Sequence, residues 1–440
     1  MIKRKFSKLI GLSFEEFNAY RHTNQIIAQE ARLIPLLKTG DEGALTSIFL
    51  SSIKLIKEYR DSIFKEIKLS RNGKAFYFTE VVFKDIDENA RIDGLIIIVS
   101  KGIIKEAAIF EMKNKNKIID KDQIEKYIGL SKKIGVDKLI TISNEFVSNP
   151  SQSPAKVKPP KNFFLFHFSW TYIITKGQLL LFKNDQTIQD DDQVEIMREV
   201  LYYLDNKDSG INGYHLMKSG WKETVDRIAN RIPLKVSDTC VQEAVESWHQ
   251  EEKDIALILS RKLGVFVKSS ARNNKDSIKE DIRRIIKQQE LFGHLSIKNS
   301  VSDIKIRVDF EVKNVAMSVK VTPPLDKGTK AKISWIGRQL ETAKKKNESV
   351  FNLIPKDLLI EANIKHARNH IRIPISSLEN LIDEVNGREI QTFNIVLMSK
   401  FNASFGSNKK FITTIEKMVL NYYAGIVQHL TNWNQPAPKL

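Results

Sequence analysis

Three residues in the first half of the chain have the types and spacing to do chemistry: Asp93, Glu111 and Lys113. Leu95 to Val99 and Ala107 to Met112 are nearly continuous apolar runs, the pattern of strands buried on both faces. Ser100-Lys101-Gly102 between them has the composition of a hairpin turn. Side chains alternate along a strand, so Ala107, Ile109, Glu111 and Lys113 share one face. Ala108, Phe110 and Met112 take the other. A carboxylate and an ammonium therefore end an otherwise apolar strand side by side. Asp93 leads into the partner strand, where it can reach the same place. Unpaired buried charge is costly, so something must compensate it. Two converging carboxylates suit a hard cation that prefers oxygen ligands, Mg²⁺ or Mn²⁺. The plainer alternative is a structural ion pair between Glu111 and Lys113 at a strand end.

The flanking elements have to position these groups. Phe76 to Phe83 is β-branched and aromatic, which predicts a strand, and Asp85 to Asn89 a polar turn. Asp120-Lys121-Asp122 offers N-caps for a helix from about Gln123 to Ile134, closed by Gly135. Gln123 and Tyr127, four apart, share a face of that helix. Lys138 to Ser143 predicts another buried strand, giving the order strand, strand, helix, strand. Upstream, residues 1–38 have apolar positions that predict helix. A second helix is expected from near Asp41 to about Ile67, with Leu45, Ile48, Phe49, Ser52, Leu55, Ile56, Tyr59 and Ile63 keeping a 3.6-residue period. Downstream, residues 163–175 predict a strand, then a helix opened by Ser169-Trp170. Asp190-Asp191-Asp192 marks a solvated helix start, and Asn206 to Gly210 a domain boundary.

Asp93 followed by Glu111-Met112-Lys113 resembles the Asp…Glu-x-Lys signature of the PD-(D/E)xK nuclease superfamily. Gln123-x-x-x-Tyr127 resembles the motif that follows it in the RecB-like branch. Ile92 stands where many members have Pro. The likeness covers roughly residues 40–180. It implies a restriction-endonuclease-like α/β core, a mixed central sheet flanked by helices, in a domain spanning 1–210. It further implies Asp93 and Glu111 as metal ligands, with the backbone carbonyl of Met112 as a third. Lys113 would orient or help deprotonate the water, and Gln123 and Tyr127 would position the site from the helix. Glu42, in Glu42-x-x-Leu45-Thr46, resembles the carboxylate that the superfamily's first core helix often turns toward a second ion. It is equally an acidic residue favoured by a helix N-terminus. The implied activity is Mg²⁺-dependent DNA endonuclease, in bacterial restriction, anti-phage defence or repair. RNA as substrate, and a catalytically silent nucleic-acid-binding or interaction protein on the same core, are the competing readings.

Length and charge set the rest. A chain of 440 residues exceeds one ordinary core, so two or three domains are expected. The single cysteine, Cys240, excludes a disulfide framework and a thiolate metal cluster. The basic N-terminus lacks an apolar core behind it, which argues against a signal peptide, and no run is long enough to span a membrane, so a cytoplasmic location is expected. The net charge is +17, against which residues 1–210 carry 33 basic and 28 acidic side chains, leaving 37 and 25 for residues 211–440. That excess suits a polyanion such as nucleic acid. The second half predicts a separate α+β domain without a chemical signature, with a homo-oligomer or partner protein left open. Helices are expected at 241–263, 276–292 and 411–433, and a hairpin at 304–321. Its Asp309-Phe310-Glu311-Val312-Lys313 repeats Glu-x-Lys, but Asp309 and Glu311 are too close for two strands, and alternating charges on an exposed strand account for it. Lys330, Lys332, Arg338, Lys344, Lys345 and Lys346 lie on or beside a helix with Trp335, the composition of a phosphate-contacting surface or of a solvated amphipathic helix.

Overall fold

A computed structural model describes residues 5–33, 38–147, 150–151, 153–155, 157–182, 188–269, 275–354, 358–367 and 369–434. They form two units, Met1–Tyr214 with Ser260–Gly264, and His215–Leu259 with Val265–Leu440.

The first unit is mixed α/β. Its helices are α1 (Phe14–His22), α2 (Glu42–Leu55), α3 (Lys57–Glu66), α4 (Lys84–Asp87), α5 (Lys121–Ile134), α6 (Trp170–Phe182) and α7 (Asp191–Leu204). Its strands, β1 (Ile26–Glu30), β2 (Lys74–Phe83), β3 (Glu88–Ser100), β4 (Ile103–Met112), β5 (Lys138–Ser143) and β6 (Phe164–Ser169), lie in sequence order in one sheet. β1 to β4 pair antiparallel, whereas β4–β5 and β5–β6 are parallel. The β3–β4 turn is Lys101-Gly102, with φ of 53° and 76°. Positive φ at both central residues matches the right-handed twist of the strands, and a one-residue register shift between Ile98 and Val99 then sets the pairing that runs on to Gly94 and Phe110. α5 is capped by Asp120, whose side chain accepts the Gln123 N–H, and ends at Gly135 in the left-handed conformation. Its apolar face (Ile124, Ile128 and Leu130) joins Leu95, Ile97, Ile109 and Leu139 of the sheet in one core. α2 packs on the opposite face. There a Cβ on Gly94 would lie 3.0 Å from Leu50 and 3.3 Å from Thr46, so a glycine is what lets that helix approach.

In the first unit the structure departs from three expectations. The helical pattern over 1–38 holds only for α1; residues 26–30 form β1, and residues 1–4 and 34–37 lie outside the described residues. Asn24 at φ 56° reverses the chain, and the open edge of β2 then supplies the hydrogen bonds that a helix would have supplied. The expected helix 41–67 is two helices. Ile56 is extended (φ −108°, ψ 106°), and the Lys57 N–H donates to Gln193 Oε1 of α7 at 2.9 Å. A periodic stripe cannot reveal a break capped by a distant side chain. Asp85 to Asn89 is not a plain turn: α4 occupies its start and β3 begins at Glu88.

The second unit has a seven-stranded sheet of β7 (Lys268–Ser269), β8 (Glu290–Ser296), β9 (Ile304–Asp309), β10 (Asn314–Val321), β11 (Leu358–Ile364), β12 (Ile371–Pro374) and β13 (Ile390–Lys400). The strand order is β12-β11-β13-β10-β9-β8-β7, with every pairing antiparallel. Its helices are α8 (Ser219–Ala229), α9 (Thr239–Leu263), α10 (Lys275–Gln288), α11 (Thr329–Lys346), α12 (Glu348–Phe351), α13 (Leu381–Val385) and α14 (Lys410–Gly425). Trp221 is fully buried among Phe310, Phe405 and Phe411, and its indole N–H donates to the Phe405 carbonyl at 2.8 Å. The helix expected over 276–292 stops at Gln288; Gln289 at φ 57° turns the chain, and Leu291 and Phe292 enter β8. The last helix ends at Gly425, and Trp433 donates its backbone N–H to Thr322 O instead. Among the described residues no helix is long and apolar enough to cross a membrane.

Candidate active site

The register of the first sheet gathers the polar residues into a row. Gly94 lies opposite Phe110, so the same register sets Asp93 opposite Glu111. Glu111 faces Thr141 on β5, and Thr141 faces His167 on β6. Cross-strand neighbours share a face, which is here the face covered by α5. Thr141 Oγ1 and His167 Nδ1 are 2.8 Å apart, and His167 Nε2 lies 2.9 Å from Glu145 O. The residues 18 positions apart in sequence are thus immediate neighbours in space, brought there by the register shift between Ile98 and Val99.

Asp93 Oδ2 accepts the Met112 N–H at 2.8 Å, which ties the end of β4 to β3 through a carboxylate. Glu111 is 1% exposed. Its Oε1 accepts a hydrogen bond from the Lys113 ammonium, but its Oε2 is sealed from solvent without a hydrogen-bond donor. Burial pushes the Asp93 carboxyl up to about 7, with the Glu111 charge adding to the shift. Burial also raises Glu111, against the lowering effects of Lys113 and, more weakly, of the neighbouring Asp93 carboxyl and Tyr127 hydroxyl. Burial lowers Lys113, yet its hydrogen bond to Glu111 and the charges of Glu111, Asp93 and Glu42 outweigh that, so it stays protonated to higher pH than an ordinary lysine. The arrangement holds one positive charge against two close carboxylates, with one oxygen unanswered. A proton or a cation can answer it, and oxygen donors of this kind fit Mg²⁺ or Mn²⁺.

Gln123 and Tyr127 stand over the same strands. Tyr127 donates its hydroxyl proton to the Arg91 carbonyl at 2.7 Å, and Gln123 Nε2 donates to the Tyr127 oxygen at 3.3 Å. The pair therefore pins β3 two residues before Asp93. Burial, then the Glu111 charge, drives the Tyr127 pKa up, so it stays a neutral donor. Glu42, in the first turn of α2, accepts the Asn114 N–H at 3.3 Å and pairs with Lys117 Nζ at 3.0 Å. It buttresses the segment after Lys113 and does not join the Asp93–Glu111 pair. Among the described residues no three His, Cys, Asp or Glu side chains converge in this conformation. Asn114, absent from the sequence expectations, donates to Gly40 O at 2.8 Å and Ser209 O at 2.6 Å, and the Trp170 indole donates to Lys113 O at 2.9 Å. These bonds hold the end of β4 in place. No local signal marks them, because their partners come from distant loops.

In the second unit, Lys330, Arg338, Lys344, Lys345 and Lys346 are exposed on α11. Lys332 is not: it is 2% exposed and donates to the Ile390 carbonyl at 2.8 Å. It sits on the helix face of Ile333, Ile336 and Leu340, so its expected nucleic-acid contact is withdrawn. Trp335 is half-buried. Asp309 is buried rather than on a solvent-facing strand, pairs with Arg307, and accepts the N–H groups of Glu311 and Val312 at 3.1 Å each. No protein-family model matches the chain, and no curated protein or solved structure matches it.

Proposed function

We propose that the chain is a divalent-cation-dependent phosphodiesterase that cleaves DNA, acting from a restriction-endonuclease-like core in the first unit. The observation that carries this reading is the Asp93–Glu111 pair with its unanswered Glu111 Oε2 and adjoining Lys113. Asp93 and Glu111 would hold the cation, together with the backbone carbonyl of Met112. When bound, the ion polarises the phosphoryl oxygens and lowers the pKa of an attacking water. Lys113 offsets negative charge as it builds on the phosphate and orients the water. Tyr127 and Gln123 tie α5 to β3 two residues before Asp93 and so help hold Asp93 in place. The exposed basic residues of α11 supply backbone contacts to the polyanion, with salt-sensitive affinity. Such an activity would suit bacterial restriction, anti-phage defence or repair. Incubating the full chain with supercoiled plasmid and Mg²⁺ tests it. Nicked or linear product is expected from the wild type and not from Asp93→Ala or Lys113→Ala. Equal cleavage by both variants overturns the assignment, and a parallel RNA substrate decides between the two polymers.

A further inference from the structure

The acidic row does not stop at Asp93. In the β2–β3 register Thr79 faces Gly94 and Val81 faces Ile92, which sets Glu80 opposite Asp93. Glu80, Asp93 and Glu111 thus occupy one line across three neighbouring strands. Glu80 also sits where the β1–β2 register slips, between the pairs Ile27–Val82 and Gln29–Thr79, and its φ is +54°. A bulge at this point re-aims the side chain of the extra residue. Like charges on adjacent strands repel. At Glu80 this is evident: burial raises its pKa, Asp93 and Asp41 raise it further, and only Arg91 opposes. Arg91 Nε holds Glu80 Oε2 at 2.9 Å, and its side chain is 67% exposed. The same Arg91 gives its backbone carbonyl to Tyr127. Its guanidinium is thus on the solvent side of the row, while Glu111 Oε2, sealed and without a donor, lies within it.

We infer that Glu80 is a third carboxylate ligand for the divalent cation of this site, held away from Asp93 by Arg91 until the cation arrives. The inference rests on the functional reading above and extends it to a residue outside the resemblance. Two carboxylates and a carbonyl leave a hard ion short of protein oxygens. Glu80 is the carboxylate one cross-strand step away, and a divalent cation beside Asp93 attracts it more strongly than a solvent-exposed guanidinium does. Arg91, once released, is free to meet a phosphate, which its planar fork suits.

Mn²⁺ titration of the full chain by calorimetry, without nucleic acid, tests the inference through two substitutions with opposite signs. Glu80→Gln should weaken Mn²⁺ binding by about 10- to 100-fold, the scale at which supporting groups act on metal sites. Arg91→Ala, which frees Glu80, should tighten it by a few-fold. Unchanged affinity in Glu80→Gln, or weakening in both variants, overturns the role of Glu80 and leaves the Asp93–Glu111 reading standing. Wild-type protein that binds no Mn²⁺, or binds it as well in Asp93→Asn, overturns that reading and this inference together. If Glu80→Gln does not fold, the direction of the Arg91→Ala change decides the inference alone.

Discussion

The chain carries Asp with Glu-x-Lys twice, and the two copies have opposite fates. At Asp309-Phe310-Glu311-Val312-Lys313 the acid ends β9 and closes a hairpin turn. Its oxygens are met by two backbone N–H groups and by Arg307. At Asp93 and Glu111 the acids come from two strands, and one buried oxygen has no donor. A carboxylate answered by its own turn has no use for a ligand. A carboxylate left unanswered in an apolar sheet costs about 1–3 kcal/mol or more, and persists only if something else answers it. The same residue types therefore close a turn in one unit and leave a buried carboxylate oxygen without a donor in the other.

Substitution of the acids tests this contrast most severely. Asp93→Asn should cut Mg²⁺-dependent cleavage by at least about 100-fold, because charge that answers the cation is gone. Asp309→Asn should leave the cleavage rate within about two-fold while lowering stability by about 1–3 kcal/mol, read as a drop in Tm. Equal losses of activity from the two would erase the distinction. The lysines repeat the test at smaller amplitude. Lys113→Ala should cost about 10- to 100-fold in kcat, and Lys313→Ala nothing measurable, in the same plasmid assay.

Protons offer a second way to sharpen it. The folded Asp93 pKa, pushed up to about 7 by burial and by Glu111, stands above its ordinary 3.8. Between those values the folded chain holds a proton that the unfolded chain has lost. The stability that proton contributes is present below about pH 4 and is lost as pH rises through about 7. Metal-free protein should therefore lose Tm from pH 4 to 7, and Asp93→Asn should flatten that slope. A cation must displace the same proton, so Mn²⁺ affinity should climb by up to about tenfold per pH unit below 7 and level off above it. A pH-independent affinity between pH 5.5 and 8 would contradict the raised pKa.

Smaller effects separate pinning from contact. Tyr127→Phe removes the hydrogen bond to the Arg91 carbonyl, worth about 1 kcal/mol, and should slow cleavage by a few-fold with little change in KM. On α11, Lys345→Ala should lower the salt dependence of DNA affinity by less than about one unit of slope without moving Tm. Lys332→Ala should do the reverse, since its ammonium is committed to the Ile390 carbonyl.

Local pattern carried much of the first unit. Alternation along Ala107 to Lys113 put Glu111 and Lys113 on one face, and they do form an ion pair. Lys101-Gly102 announced the hairpin, and Asp120 with Gly135 bracketed α5. These are short-range effects: a positive-φ turn, a cap and a period of two are set by residues within a few positions. What the tertiary structure alone decided came from partners far away in the chain. Gln193 ends the helix that periodicity would have run through Ile56, and β2 draws residues 26–30 into a strand. Ile390 buries Lys332, whose surroundings on the helix look basic and exposed. The β2–β3 register sets Glu80 opposite Asp93, the bulge beside it lies in the β1–β2 pairing, and no one-dimensional pattern encodes the register of a third strand. The residue types capable of chemistry were thus legible in the sequence by itself. Which of their charges remain unanswered was decided only once the sheet had closed around them.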